Sequence, residues 1–170
     1  MTSIAGQAET LLKEAFETDV DLTELLSRIL DVMLQLTRAE RAFIVLAEPD
    51  GTPYARVVHN IPEHDLPEAG AEISRTILRR VLESGETVLL GDASSSPSYD
   101  QAGSIHRMAL RSVICAPLTA DAGCLGAIYF ENRSLIGVFE EEDRQRAEQL
   151  AGTISRRLAT YLAMRSLVQV

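Results

Sequence analysis

Cys115 and Cys124 are the residues with the most chemistry to offer, because a thiolate can attack, reduce or hold a metal. Both sit in apolar runs of Arg111 to Arg133 (RSVICAPLTADAGCLGAIYFENR), broken only at Asp121-Ala122-Gly123, which reads as a hairpin of buried strands. With the turn at Asp121-Ala122, Cys115 falls opposite Ile128 and Cys124 opposite Thr119. That spacing is about four rungs, roughly 13 Å at ~3.3 Å per residue, too far for a disulfide, and it makes both reduced core residues. His59, His64 and His106 have neither short helical spacing nor cysteines nearby, so no metal site is expected. Ser94-Ser95-Ser96 lies in no nucleophile elbow, and there is no Gly-rich phosphate loop. These absences point to binding rather than catalysis, and the chain is expected not to be an enzyme.

The elements that must position any binding groups are legible in the periodicity. At 170 residues the chain fits one domain, 1–170, with a core of about 22–162. A short apolar stripe (Leu11, Leu12, Ala15, Phe16) predicts a helix over 3–17. Asp21 with Glu24 forms a capping box for a second helix, from Leu22 to about Thr37, whose apolar positions recur at three and four. Arg41 to Glu48 is a continuous apolar strand ended by Pro49-Asp50-Gly51, with a weaker strand from Tyr54 to His59. A helix from Ile73 closes at Ser84-Gly85, and Thr87 to Leu90 is a short strand. Gly91 to Gly103 (GDASSSPSYDQAG) is a polar loop of a length usually tied to function, the natural lid. The chain closes with a helix over 140–166. The expected fold class is α+β: a central antiparallel sheet of five to six strands with terminal helices on one face, and a helix plus loops forming a pocket on the other.

A net charge of −9 and a pI near 4.8 argue against direct nucleic-acid binding, which depends on Lys and Arg. No apolar run is long enough to span a bilayer and the N-terminus carries acids, so the expectation is a cytoplasmic chain without membrane contact. Apolar surface on the terminal helices beyond what one sheet face consumes predicts a homodimer, with Leu11, Leu12, Leu158, Leu162 and Leu167 as its contacts.

In order and spacing, ERAFIVLAEPDG, SRTILRRVLESGETVLLGDA, RSVICAPL, LGAIYFENR and GVFEEEDRQRAEQLAGTISRRLA together resemble a GAF domain, a PAS-like sensing and dimerising module, over about Leu22 to Leu162. The resemblance implies a regulatory module of a bacterial signal-transduction or transcription-regulatory protein, fused to an output domain such as a kinase, cyclase or enhancer-binding ATPase. It implies a noncovalent small-molecule or nucleotide ligand, with contacts from Phe43, His59, Asn60, Ile73, Ser74, Tyr99 and Ser112. It further implies a strap from the hairpin to the last helix at Asn132, Arg133, Phe139 and Asp143, with an Arg133 to Asp143 pair. Arg144 stands where cyclic-nucleotide binders of the family carry Glu. Two other uses stay open: a structural dimerisation domain with a vestigial pocket, and a thiol enzyme reducing free methionine sulfoxide. The His-Ile-Ala-Cys-type signature of such reductases is missing, and no cysteine stands between Gly70 and Leu110 to carry a bilin.

Overall fold

In a computed structural model, residues 6, 10, 21–47, 53–59, 74–93, 96, 110–121 and 123–168 are described. Helix α1, Leu22–Leu36, begins where Asp21 Oδ1 accepts from the Thr23 amide at 3.0 Å. Glu24 pairs with Arg28 one turn on. The stripe Leu22, Leu25, Leu26, Ile29, Leu30 and Met33 is buried, and a Leu or Ile taken fully out of water is worth about 1.5–3 kcal/mol. Strands β1 (Arg41–Ala47) and β2 (Pro53–His59) follow, then helix α2 (Arg75–Ser84), strands β3 (Val88–Leu90), β4 (Ser112–Ala120) and β5 (Gly123–Asn132), and helix α3 (Glu141–Val168). Gly85 ends α2 at φ 69°, a left-handed cap that a Cβ would disfavour. The helix expected over 3–17 lies outside the described residues, apart from positions 6 and 10.

The strands form one antiparallel sheet in the order β2-β1-β5-β4-β3. Continuous apolar runs in β1, β4 and β5 require cover on both faces. One face carries Ala42, Ile44, Ile114, Ala116, Ile128 and Phe130 against α1 and α3; the other carries Phe43, Val45, Val113, Cys115 and Tyr129 against α2. On α3 the residues facing the sheet include Ala147, Leu150, Ala151, Ile154 and Leu158. Leu158 is buried in this core, whereas Leu162 is 43% exposed.

The hairpin register corrects one expectation. Cys115 stands opposite Tyr129, not Ile128, although Cys124 does stand opposite Thr119. The ladder shifts by one residue between Leu118 and Thr119, leaving Leu125 as the extra residue of a bulge. Gly126 is next in the strand at φ 153°, with Val45 O only 2.0 Å from where its Cβ would be, so β1 closes on β5 at a point only glycine fits. The slip decides which side chain faces which layer: Tyr129 joins Phe43 and Cys115 on the α2 side, and Ile128 turns to the opposite one.

Candidate functional site

The α2 side of the sheet is almost wholly apolar, and Tyr129 interrupts it. Its ring meets Phe43 edge to face, with centroids 5.7 Å apart and planes at 76°. The hydroxyl is buried and, among the described residues, makes no hydrogen bond of ordinary geometry, a condition that native structures show rarely and that calls for a cause. Burial, then the Glu131 carboxylate and the Cys115 thiol, push its ionisation well above a tyrosine's usual range, against the pull of the Ser74 backbone and Arg133. Tyr129 is therefore a neutral donor.

Ser74 caps α2 at the same place. It is fully buried, and its Oγ accepts from the Ile77 amide at 3.4 Å. Glu131, two residues beyond Tyr129 and so on the same pleat, is buried with Oε1 bound by Arg133 Nε at 2.8 Å and approached by Arg41 at 3.9 Å. A largely apolar layer thus holds one hydroxyl whose hydrogen has no acceptor of ordinary geometry among the described residues, beside a helix start and a paired carboxylate.

The expected contacts distribute unevenly. Phe43 and Ser74 lie on this side, while Asn60, Ile73 and Tyr99 lie outside the described residues, as do 94–95 and 97–109, which include most of the expected lid. His59 sits against α1 on the other side of the sheet, with Nε2 2.7 Å from Ser27 Oγ and Nδ1 2.8 Å from Asp31 Oδ1. Ser112 is committed to joining three segments: its single hydroxyl hydrogen is within reach of the carbonyls of Gly91 (2.9 Å) and Leu135 (3.2 Å), and its oxygen accepts from the Val138 amide at 3.4 Å. Tyr129 itself was missed in the sequence because the register without the bulge turns it to the opposite face; Gly126 was the available signal.

The corner into α3 is strapped by different bonds from those expected. Asn132 Oδ1 accepts from the amides of Ser134 and Leu135, and its Nδ2 donates to the Arg38 carbonyl. Phe139 is buried among the α1 and α3 side chains. Arg133 pairs with Glu131, and its amide donates to Glu40. Asp143 instead accepts from the Glu140 amide at 3.0 Å and pairs with Arg146, because a carboxylate in a first helical turn satisfies amides the helix leaves open. Arg144 bonds Glu141 and Glu148 along its own helix.

A cleft of about 540 Å³ lies elsewhere, where α3 meets the β3–β4 edge, lined by Thr87, Pro117, Thr119, Arg144, Glu148 and Gly152 among others. Its Ala116 and Ala151 belong to the layer opposite Tyr129. Among the described residues no group of three His, Cys, Asp or Glu side chains could hold a metal, and no helix is long and apolar enough to cross a membrane.

Comparison with known proteins places this geometry. The GAF domain family model matches residues 21–158. No curated protein matches the chain. Among solved structures, the GAF domain of an Acinetobacter phosphoenolpyruvate-protein phosphotransferase is similar with TM-score 0.72 at 14% identity, covering 98% of this chain and 99% of that one. The corresponding domain from Coxiella burnetii gives 0.70 at 14% identity, covering 94% and 95%. A free methionine-R-sulfoxide reductase from Neisseria meningitidis, solved with its substrate, gives 0.68 at 19% identity, covering 91% and 85%. At such identities the likeness is one of fold.

Proposed function

This chain belongs to the GAF domain family, and from that premise we propose that it is a small-molecule-sensing and dimerising module of a signal-transduction or transcription-regulatory protein. A ligand bound noncovalently on the α2 side of the sheet biases the arrangement of the terminal helices. A homodimer through those helices carries the bias to a fused output domain, a kinase, cyclase or enhancer-binding ATPase in the cytoplasm. A differential affinity of a few kcal/mol between two helix arrangements is enough to shift such an equilibrium.

The observation that carries this reading is the Tyr129 hydroxyl, buried in a largely apolar layer with the Ser74 backbone as a polar neighbour, whose own hydrogen has no acceptor of ordinary geometry among the described residues. Leaving such a group unsatisfied costs about 1–3 kcal/mol, which a ligand acceptor would recover on binding. The ligand therefore has an apolar body with at least one acceptor oxygen or nitrogen. Exposed Leu162 and Met164 on α3 support the helical interface.

The chain acts by binding rather than by thiol chemistry. Burial, and then Cys124 nearby, push the Cys115 thiol far up, away from the reactive thiolate.

Native mass spectrometry of gently purified protein tests the sensing role, followed by thermal shift across a nucleotide and metabolite panel. A bound small molecule lost in Tyr129→Phe is the expected result. A chain that carries nothing and shifts with nothing is a structural dimerisation domain with a vestigial pocket, and the sensing role would be abandoned.

A further inference from the structure

The opposite side of the sheet carries a constellation the proposed pocket does not use. Ser27 and Asp31 stand four residues apart on α1, one turn from each other on a single face. His59, the last residue of edge strand β2, bridges them, with Nδ1 2.8 Å from Asp31 Oδ1 and Nε2 2.7 Å from Ser27 Oγ. An ionised carboxylate only accepts, so Nδ1 carries the proton and Nε2 keeps a lone pair for the serine hydroxyl. A hydroxyl, a base within reach of it and a carboxylate that fixes the base's tautomer is the arrangement that makes a serine nucleophilic. The ring is 16% exposed and Asp31 56%, while Ser27 is half-buried, so the group is enclosed yet open at one side.

We propose that Ser27 is a modification site: a serine activated by His59, itself oriented by Asp31, that takes acyl groups from activated acyl donors. The Ser27 oxygen attacks the donor's carbonyl carbon and its proton passes to His59 Nε2. The bond to the leaving group breaks, the leaving group departs with the electron pair and takes that proton, and an acyl ester remains on Ser27. Amides inside a helix are bonded to carbonyls four residues back, so the Ser27 amide does not assist the developing oxyanion. One such donor is worth about a hundred- to a thousandfold in rate. That loss restricts the reaction to donors with good leaving groups, and it makes the acyl-serine long-lived. Acylation also removes the hydroxyl hydrogen from the contact that ties α1 to β2, so the mark is written on a helix that packs against the sheet. This chemistry is independent of any ligand at Tyr129.

The test incubates the full chain with p-nitrophenyl acetate, follows nitrophenol release and maps the acetyl group by peptide mass spectrometry. Acetylation at Ser27 is expected, absent in Ser27→Ala and slowed about a hundredfold in His59→Gln, the usual worth of a positioned base. Asp31→Asn, at a half-exposed position that leaves the fold intact, should slow it too, since the ring loses its fixed tautomer. Acetyl found only on Lys13, the chain's one lysine, on the terminal amine or on Cys124 would overturn the proposal. So would Ser27 acetylated at one rate in wild type and both variants, which would make the trio a clasp between α1 and β2 and nothing more.

Discussion

Phe43 and Tyr129 are register partners on β1 and β5, and their rings pack edge to face inside the layer beneath α2. The pair fixes the Tyr129 ring, and so the place where its hydroxyl ends.

Tyr129→Phe keeps that ring contact and deletes only the oxygen. The ligand-free protein should be as stable as wild type or more stable by up to about 3 kcal/mol, since an unsatisfied buried donor is removed. Urea denaturation reads this, and a loss of stability would mean the hydroxyl already has a structural bond.

Gly126→Ala forces a Cβ to within 2.0 Å of the Val45 carbonyl at a backbone φ of 153°. The β1–β5 ladder must part locally, and a loss of at least about 3 kcal/mol is expected. A thermal melt of the purified variant would show it as a fall of roughly 6 °C or more.

Burial opposes ionisation of Glu40, but the Ser134 hydroxyl, the amides of Arg133 and Ser134, and Arg41 outweigh it and hold the carboxyl below its ordinary value of 4.5. A group depressed on folding adds stability above its unfolded value and loses it as pH falls through the folded one. Wild type should therefore exceed Glu40→Gln in urea midpoint at neutral pH, with the gap closing below about pH 4.5. A gap unchanged down to about pH 3 would remove the linkage.

Cys115 should resist iodoacetamide in the native protein and react only after unfolding, because its thiol is buried and pushed up. Cys124, half-buried with Sγ 3.2 Å from the Gly126 carbonyl, should label first. No reduction of free methionine sulfoxide is expected from wild type, and activity abolished by Cys115→Ser would reverse the reading of this residue.

Capping and turn residues made most element boundaries legible. Asp21 starts α1, Gly85 ends α2, and the break at 121–123 joins β4 to β5, because such residues act locally on the backbone. What stayed hidden depends on facing. β4 and β5 are apolar on both pleats, so a one-residue slip leaves no polar residue visibly misplaced, and the bulge at Leu125 went unread. His59 shows the same limit: its position at a strand end was legible, but which side it joins depends on β2 lying beneath α1. In the strap, Asn132 bonds across the corner and Phe139 is buried, and only the charge pair differs. Arg133 and Asp143 were charges at suitable spacing, but each found a nearer partner in Glu131 and in the first turn of α3.

β3 pairs with β4 only from Val113 to Cys115, so the outer edge of β4 from Ala116 to Ala120 has no strand beside it among the described residues. Such an edge invites a strand of another molecule to add on. Pro117 stands in the middle of it and cannot donate, which breaks the run of backbone donors an incoming strand would need. The open edge of the sheet is thus a poor seed for aggregation.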